Sequence, residues 1–271
     1  MALENAVAPV RWQLRIPTGG VPIEANALEL LGRNPFLRLL SAAERVGLIG
    51  EARPVTVRPG DTVVRAGDQG RVALVLEGLL RLVASSREGR QLTLHHYRRG
   101  ELAGLLGFTA PTVPYTLQAA MPSSLLPIST SALEEIVHRN PTLGWALAAQ
   151  VSRLSQDLLA RFTFYAFQPL RQRVAAYLLE LTELEGIAVD RPVVRVSHQD
   201  LANAVGAPRE SVSRALGEFR RMGAVHTGAS RIEIRDRFLL AQAAGEADDA
   251  PATPVLAQVG GGTDGDCNNS H

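Results

Sequence analysis

From Val55 to about Pro127 the chain runs in short apolar stretches broken by turns, as in "ARPVTVRPGDTVVRAGD" and "RVALVLEGLLRLVASSREGRQLTLHHYRRGELAG". Val- and Leu-rich runs punctuated by Pro-Gly, Gly-Asp, Glu-Gly and Arg-Gly predict an antiparallel β sandwich or barrel. From Ser129 the period lengthens to that of a helix. "STSALEEIV" opens on a capping Ser with acids behind it, "NPTLGWALAAQVSRLSQDLLARFTFYAF" has Asn140 as a cap and Pro141 at the first turn, and "PLRQRVAAYLLELTELEG" stops at Gly186. Three helices are expected. In the middle one Leu147, Val151, Leu154 and Leu158 recur at heptad-like spacing. That is either a self-association seam, a face packed on the chain's own β domain, or both.

The pattern then tightens in "VSHQDLANAVGAPRESVSRALGEFRRMGAVHTGASRIEIRD". Ser197 can cap a helix with Asp200 in its first turn, and Leu201 and Val205 form the apolar face. Ala202 is small enough for a second helix to cross closely. Gly206 can adopt the left-handed conformation that a sharp turn needs, and Pro208 sets the backbone for a new first turn. Val212, Ala215, Leu216 and Phe219 then face inward at helical spacing, leaving Arg209, Glu210, Ser213 and Arg214 outward. Arginine can grip guanine O6 and N7 together, and glutamate can accept from cytosine N4, so these four are candidate base readers. Ser197, His198, Gln199, Ser211 and Arg231 are candidate phosphate contacts. "VHTGASRIEI" reads as two short strands joined through Gly228, a wing beside the helix pair.

Composition changes this picture only locally. The net charge is +1, but all 28 basic residues are arginine, which suits bidentate contacts to phosphate and guanine and is equally the mark of a base-composition bias. From Arg191 to Arg237 nine arginines stand against five acids. Cys267 is the sole cysteine, so one chain cannot build a disulfide framework or a four-cysteine cluster. Neither a secretory leader pattern nor a run of about 20 apolar residues is present, so a cytoplasmic protein without membrane contact is expected. There is no Gly-rich phosphate loop, no His-Glu-x-x-His and no Gly-x-Ser-x-Gly, and the six histidines are scattered, which argues against an enzyme.

With these residues in place, the chain resembles the Crp/Fnr superfamily of bacterial regulators from about Leu31 to Asp236, most specifically in "APRESVSRAL". The resemblance implies an α+β protein: an N-terminal β-roll (cupin-like jelly roll) sensor domain, a long dimerisation helix and a C-terminal winged helix-turn-helix. The expected boundaries are a tail over 1–25, the β-roll with flanking helices over 26–139, the dimerisation helix over 140–166, the winged domain over 167–239 and a second tail over 240–271. It further implies a homodimer joined at Leu147, Val151, Leu154 and Leu158, a two-fold symmetric site with TGTGA-like half-sites in double-stranded DNA, and RNA polymerase as a partner. Arg209, Glu210 and Arg214 match the base readers of the cyclic-AMP receptor type, and Ser213 matches the fumarate-nitrate regulator type.

The sensor side departs from the family. Where its nucleotide loop carries Gly-Glu-Leu-Gly and then Arg-Ser, "GLLGFTAPTVPYTLQAA" sets Leu105 at the glutamate, Tyr115 at the arginine and Thr116 at the serine, and the adenine-contacting Thr and Ser align with Leu158 and Leu159. A cyclic phosphate buried without its cation is strongly disfavoured. No cofactor is therefore expected. A regulator already in its DNA-competent form and controlled by its abundance is the expectation; an apolar or weakly polar effector, His95 or His96 as a haem ligand, and an organic acid at Arg98 or Arg99 are the alternatives. Any effector would act by shifting the DNA-binding domains about a hinge near Phe167 to Pro169. Titration calorimetry with cyclic AMP is expected to show no saturable uptake in the micromolar range; such uptake would restore the nucleotide reading.

Overall fold

The computed structural model describes residue 30 and residues 34–50, 52–184, 192–228 and 230–245. The expected N-terminal tail, the helix stop at Gly186, Cys267 and most of the expected C-terminal tail lie outside these. Contacts divide the chain into two compact units. One takes the chain up to Val83 together with His95–Val151; the other takes Ala84–Leu94 and the chain from Ser152 onward.

In the first unit, helix α1 (Ala42–Ile49) begins at a reciprocal cap. The Ser41 hydroxyl accepts from the Glu44 N–H, and the Glu44 carboxylate accepts from the Ser41 N–H at 2.7 Å. Strands β1 (Val55–Val57), β2 (Thr62–Val64), β3 (Val72–Glu77), β4 (Leu80–Ser85), β5 (Gln91–Tyr97), β6 (Leu102–Ala103), β7 (Thr116–Ala119) and β8 (Ser123–Ile128) follow. They form two four-stranded sheets, ordered β1-β8-β3-β6 and β2-β7-β4-β5, which is the expected roll. Three of its turns repeat one device. In "RPGD", "RAGD" and "RRGE" the acid's carboxylate accepts from the arginine's backbone N–H, at 2.8 Å for Asp61, 3.2 Å for Asp68 and 2.9 Å for Glu101. The acid's own N–H returns to the arginine carbonyl at 3.0 Å in all three, and the intervening glycines sit at φ +87°, +94° and +87°. Only glycine adopts that conformation without strain, so each turn is specified locally.

Helix α2 (Thr130–Arg139) starts at Ser129, whose hydroxyl accepts from Ala132 N–H. Helix α3 (Pro141–Phe167) starts at Asn140, whose side-chain oxygen accepts from Thr142 N–H at 3.1 Å. Val72, Leu74, Leu126, Leu133 and Leu143 share one buried core, and Leu147 lies inside it with Val151 packed against it. Leu154 is also buried, while Leu158 is half-buried. The seam expected to join two copies is thus largely covered within the chain. Among the exposed positions of α3, Trp145, Ala148, Ser152, Ser155, Leu159, Phe162 and Ala166 keep the same alternating three-four spacing in a different register.

The second unit contains α4 (Leu170–Leu184), β9 (Val193–Val194), α5 (His198–Val205), α6 (Arg209–Arg221), β10 (Val225–Gly228), β11 (Arg231–Ile234) and α7 (Arg237–Ala244). Val174, Leu178, Leu201, Val205, Val212, Leu216, Phe219, Ile232 and Leu240 meet in its core. The wing sheet runs β10-β11-β9, one strand more than expected, because two-residue β9 is too short to show a period. Helix α7 corrects the expected boundary at 240. Asp236 caps it by accepting from Leu239 N–H, Gly245 ends it at φ +88°, and Leu240, Ala243 and Ala244 are buried.

Arg161 on α3 meets Glu180 on α4 through two hydrogen bonds of 2.8 and 2.5 Å, with both side chains nearly buried. Its Nη2 also donates to the Tyr165 hydroxyl and its Nε to the Thr93 carbonyl at the β5 end. Burial disfavours the charged guanidinium, but Tyr165 and Glu180 outweigh this and hold its pKa above the usual range. Removing one member leaves the other charge desolvated. Glu180→Ala is expected to lower stability by about 3–5 kcal/mol in urea unfolding followed by circular dichroism; a loss near zero would mean that solvent reaches Arg161.

Candidate nucleic-acid interface

Helix α5 begins where Ser197 accepts from Asp200 N–H at 3.1 Å, and its hydroxyl also donates to the Asp200 carboxylate at 2.5 Å. That hydroxyl, expected among the phosphate contacts, is therefore engaged in the cap. The helix ends at Gly206, which takes φ +68°, ψ +37°. Pro208 stands one position earlier than expected, as the residue capping α6, at φ −63°, ψ 143°. Its carbonyl accepts from Ser211 and Val212 N–H and opens the helix.

Helix α6 has two distinct faces. Val212, Leu216 and Phe219 are at most 1% exposed, while Arg209, Glu210 and Arg214 are open to solvent at its N-terminal half. On the side towards α4, Arg171 lies over the Phe219 ring at 5.6 Å and pairs with Glu218 at 3.7 Å. Arg173 of α4 donates to the Val205 carbonyl at 3.2 Å and so holds the last turn of α5. The β4–β5 tip reaches the same turn: Leu92 bridges Val205, and a Cβ on Gly206 would stand 3.5 Å from the Leu92 side chain.

The remaining expected contacts are partly engaged with one another. Nδ1 of His198 is 3.0 Å from the Ser213 hydroxyl, and both residues are half-buried. Ser211 accepts from Arg214 Nη2 at 3.1 Å and steadies that arginine from one turn away. Gln199 donates to Asn203 at 2.9 Å. Arg231 is exposed in the wing, its side chain folded over Gly228. Sequence reasoning assigned His198 and Ser213 separate roles and missed their pairing. The positions 198 and 213 come together only through the α5–α6 turn, so neither periodicity nor local spacing marks the pair.

On the sensor side, Leu105 is 3% and Tyr115 7% exposed, and Thr116 accepts from Ala66 N–H. The loop closes on its own backbone: a Cβ at Gly70 would fall 1.8 Å from the Gly107 carbonyl oxygen, and one at Gly107 would lie 2.8 Å from the Tyr115 hydroxyl. Burial pushes the Tyr115 phenol up to about 12. Leu158 is half-buried and Leu159 66% exposed in the other unit. His96 is buried, His95 packs edge-on against Tyr97, and Arg99 donates to the Leu76 carbonyl, while Arg98 is exposed. Among the described residues no group of three or more His, Cys, Asp or Glu could hold a metal ion, and no helix is long and apolar enough to cross a membrane.

A two-sheet roll, a long helix and a winged helix-turn-helix with basic side chains on its second helix together define a DNA-binding transcriptional regulator. Residues 172–243 match the Crp-like helix-turn-helix domain, and residues 54–140 match the cyclic nucleotide-binding domain. The chain is 33% identical over 187 residues to transcriptional regulator SdrP of Thermus thermophilus, across 67% of this chain and 89% of SdrP. It is 28% identical over 187 residues to the cyclic AMP receptor protein of the same organism, across 68% of this chain and 85% of that protein. A crystal structure of a CRP/FNR-family transcriptional regulator from Thermus thermophilus superposes with a TM-score of 0.61 at 32% identity, across 71% of this chain and 98% of that one. The chain belongs to the Crp/Fnr family of transcriptional regulators.

The cost of the α5–α6 turn falls on one torsion, because the Leu92 contact at 3.5 Å is ordinary van der Waals spacing. Gly206→Ala is expected to lower stability by roughly 1–2 kcal/mol in a thermal melt; an unchanged melt would show that the turn relaxes to another conformation.

Proposed function

We propose that the protein is a cytoplasmic, sequence-specific DNA-binding regulator that recognises a palindromic TGTGA-like site as a homodimer, without cyclic AMP, and acts with RNA polymerase. The observation that carries this reading is the division of α6. Its apolar residues are buried, and Arg209, Glu210 and Arg214 stand exposed in the half that enters a major groove in helix-turn-helix proteins. Ser213 is the fourth reader. His198, Gln199, Ser211 and Arg231 steady the protein on phosphates directly or through their neighbours, and Ser197 contributes by fixing the start of α5.

The dimer forms along α3. Trp145, Leu159 and Phe162 are 78%, 66% and 57% exposed, large apolar surfaces that two copies would cover, with small Ala148, Ser152 and Ser155 between them. Leu158 adds its half-exposed side chain. Two recognition helices then stand about one DNA turn apart, roughly 34 Å.

Independence from cyclic AMP is supported by Leu105 and Tyr115, which are apolar or neutral and already buried where the family keeps a glutamate and an arginine. The relative named for cyclic AMP makes the calorimetric titration with that nucleotide the decisive check. The base-reading assignment is tested by selecting bound DNA at fixed salt. Arg209→Ala is expected to relax preference at one half-site position, losing roughly 1–3 kcal/mol of discrimination there, while affinity for the unaltered site falls steeply with added salt. Weakening spread evenly over all sequences would overturn the assignment.

A further inference from the structure

Ser213 is half-buried on the recognition helix, and its hydroxyl lies 3.0 Å from Nδ1 of His198, the first residue of α5. A serine hydroxyl has one proton, so what it can offer a base depends on whether the imidazole takes that proton. We propose that His198 is a specificity-determining residue: its ring accepts the Ser213 proton in a hydrogen bond and leaves Ser213 presenting only oxygen lone pairs to the groove. The proposal rests on the reading of α6 as the base-reading helix.

The chemistry follows from the ring's two nitrogens. Nδ1 is engaged with Ser213, so Nε2 is the atom left to meet DNA. A phosphate oxygen only accepts, and a contact to it therefore needs the proton on Nε2. In a neutral imidazole this makes Nδ1 an acceptor, and the Ser213 O–H donates to it. The remaining lone pairs of Ser213 match the amino groups of adenine N6 and cytosine N4. They do not match guanine O6 and N7 or thymine O4, which are acceptors themselves. A serine without such a partner rotates its proton to suit either kind of base. His198 thus turns an indiscriminate hydroxyl into a committed acceptor, acting on the base through Ser213 as a positioning residue.

The test is selection of bound DNA from a library with randomised half-sites, using the full chain. The unmodified protein should favour adenine or cytosine over guanine and thymine on one strand at one position, by about three- to tenfold, the range of a single hydrogen bond. Ser213→Ala should erase that preference at that position alone. His198→Ala should admit guanine and thymine there, and His198→Asn, whose amide oxygen can accept the same proton, should restore the preference. A preference at the Ser213-dependent position that survives His198→Ala, or one that His198→Asn fails to restore, would overturn the proposal. Arg209→Ala run in parallel separates the two readings. If it relaxes its own guanine position while no position responds to Ser213→Ala, only the role of His198 falls. If Arg209→Ala relaxes nothing, the base-reading helix falls as well.

Discussion

The ion pair between Arg161 and Glu180 is the constraint on which the geometry of the DNA-reading unit depends. Two opposite charges withdrawn from water hold only where every donor and acceptor is matched, and here the guanidinium reaches two carboxylate oxygens, the Tyr165 hydroxyl and the Thr93 carbonyl. Such a bidentate contact fixes direction as well as distance, so α3, α4 and the β5 end at Thr93 are held at one mutual setting. Arg173, also on α4, continues the arrangement by holding the Val205 carbonyl at the end of α5. Arg171 then stacks on Phe219 of α6. Three arginines thus carry the placement of α3 forward to the recognition helix, each through a directional contact that an apolar side chain could not supply.

Within that frame the recognition helix is held from behind by burial and tuned from in front by polar pairs. Val212, Leu216 and Phe219 leave the helix no freedom to rotate without exposing apolar surface. The outward residues divide into two kinds. Arg209 and Glu210 are long and open to solvent, while Arg214 is braced by Ser211 and Ser213 by His198. A braced side chain has less conformational freedom left to lose, and its hydrogen-bonding groups are already partly engaged.

The fold class and the two faces of α6 were legible in the sequence because both rest on local rules. Caps at Ser129 and Asn140, the left-handed Gly206 and the Gly-containing turns of the roll are each specified within four residues. What escaped depended on neighbours distant in the chain. In α3 two registers carry three-four spacing, and nothing in the helix itself says that the β-roll core takes Leu147 and Val151 while Trp145 and Leu159 stay exposed. The Arg161–Glu180 pair spans 19 positions and the His198–Ser213 pair 15, beyond the reach of helical periodicity. Helix α7 is the exception. Its Asp236 cap and Gly245 stop are local signals, but its alanine-rich composition shades into that of the residues beyond it and hides the boundary.

The two units are built on opposite uses of close packing. At the sensor loop, glycine lets backbone meet backbone: Gly70 touches Gly107, Gly104 stands at φ +91° against the Arg71 carbonyl, and Tyr115 covers the remaining gap with its hydroxyl beside Gly107. At the α5–α6 turn, Gly206 has no backbone atom closer than 3.6 Å to its missing Cβ, so it serves the torsion of the turn and not a close approach of backbones. A surface that meets DNA works differently, because each exposed side chain there acts through its own direction and its own hydrogen-bonding groups.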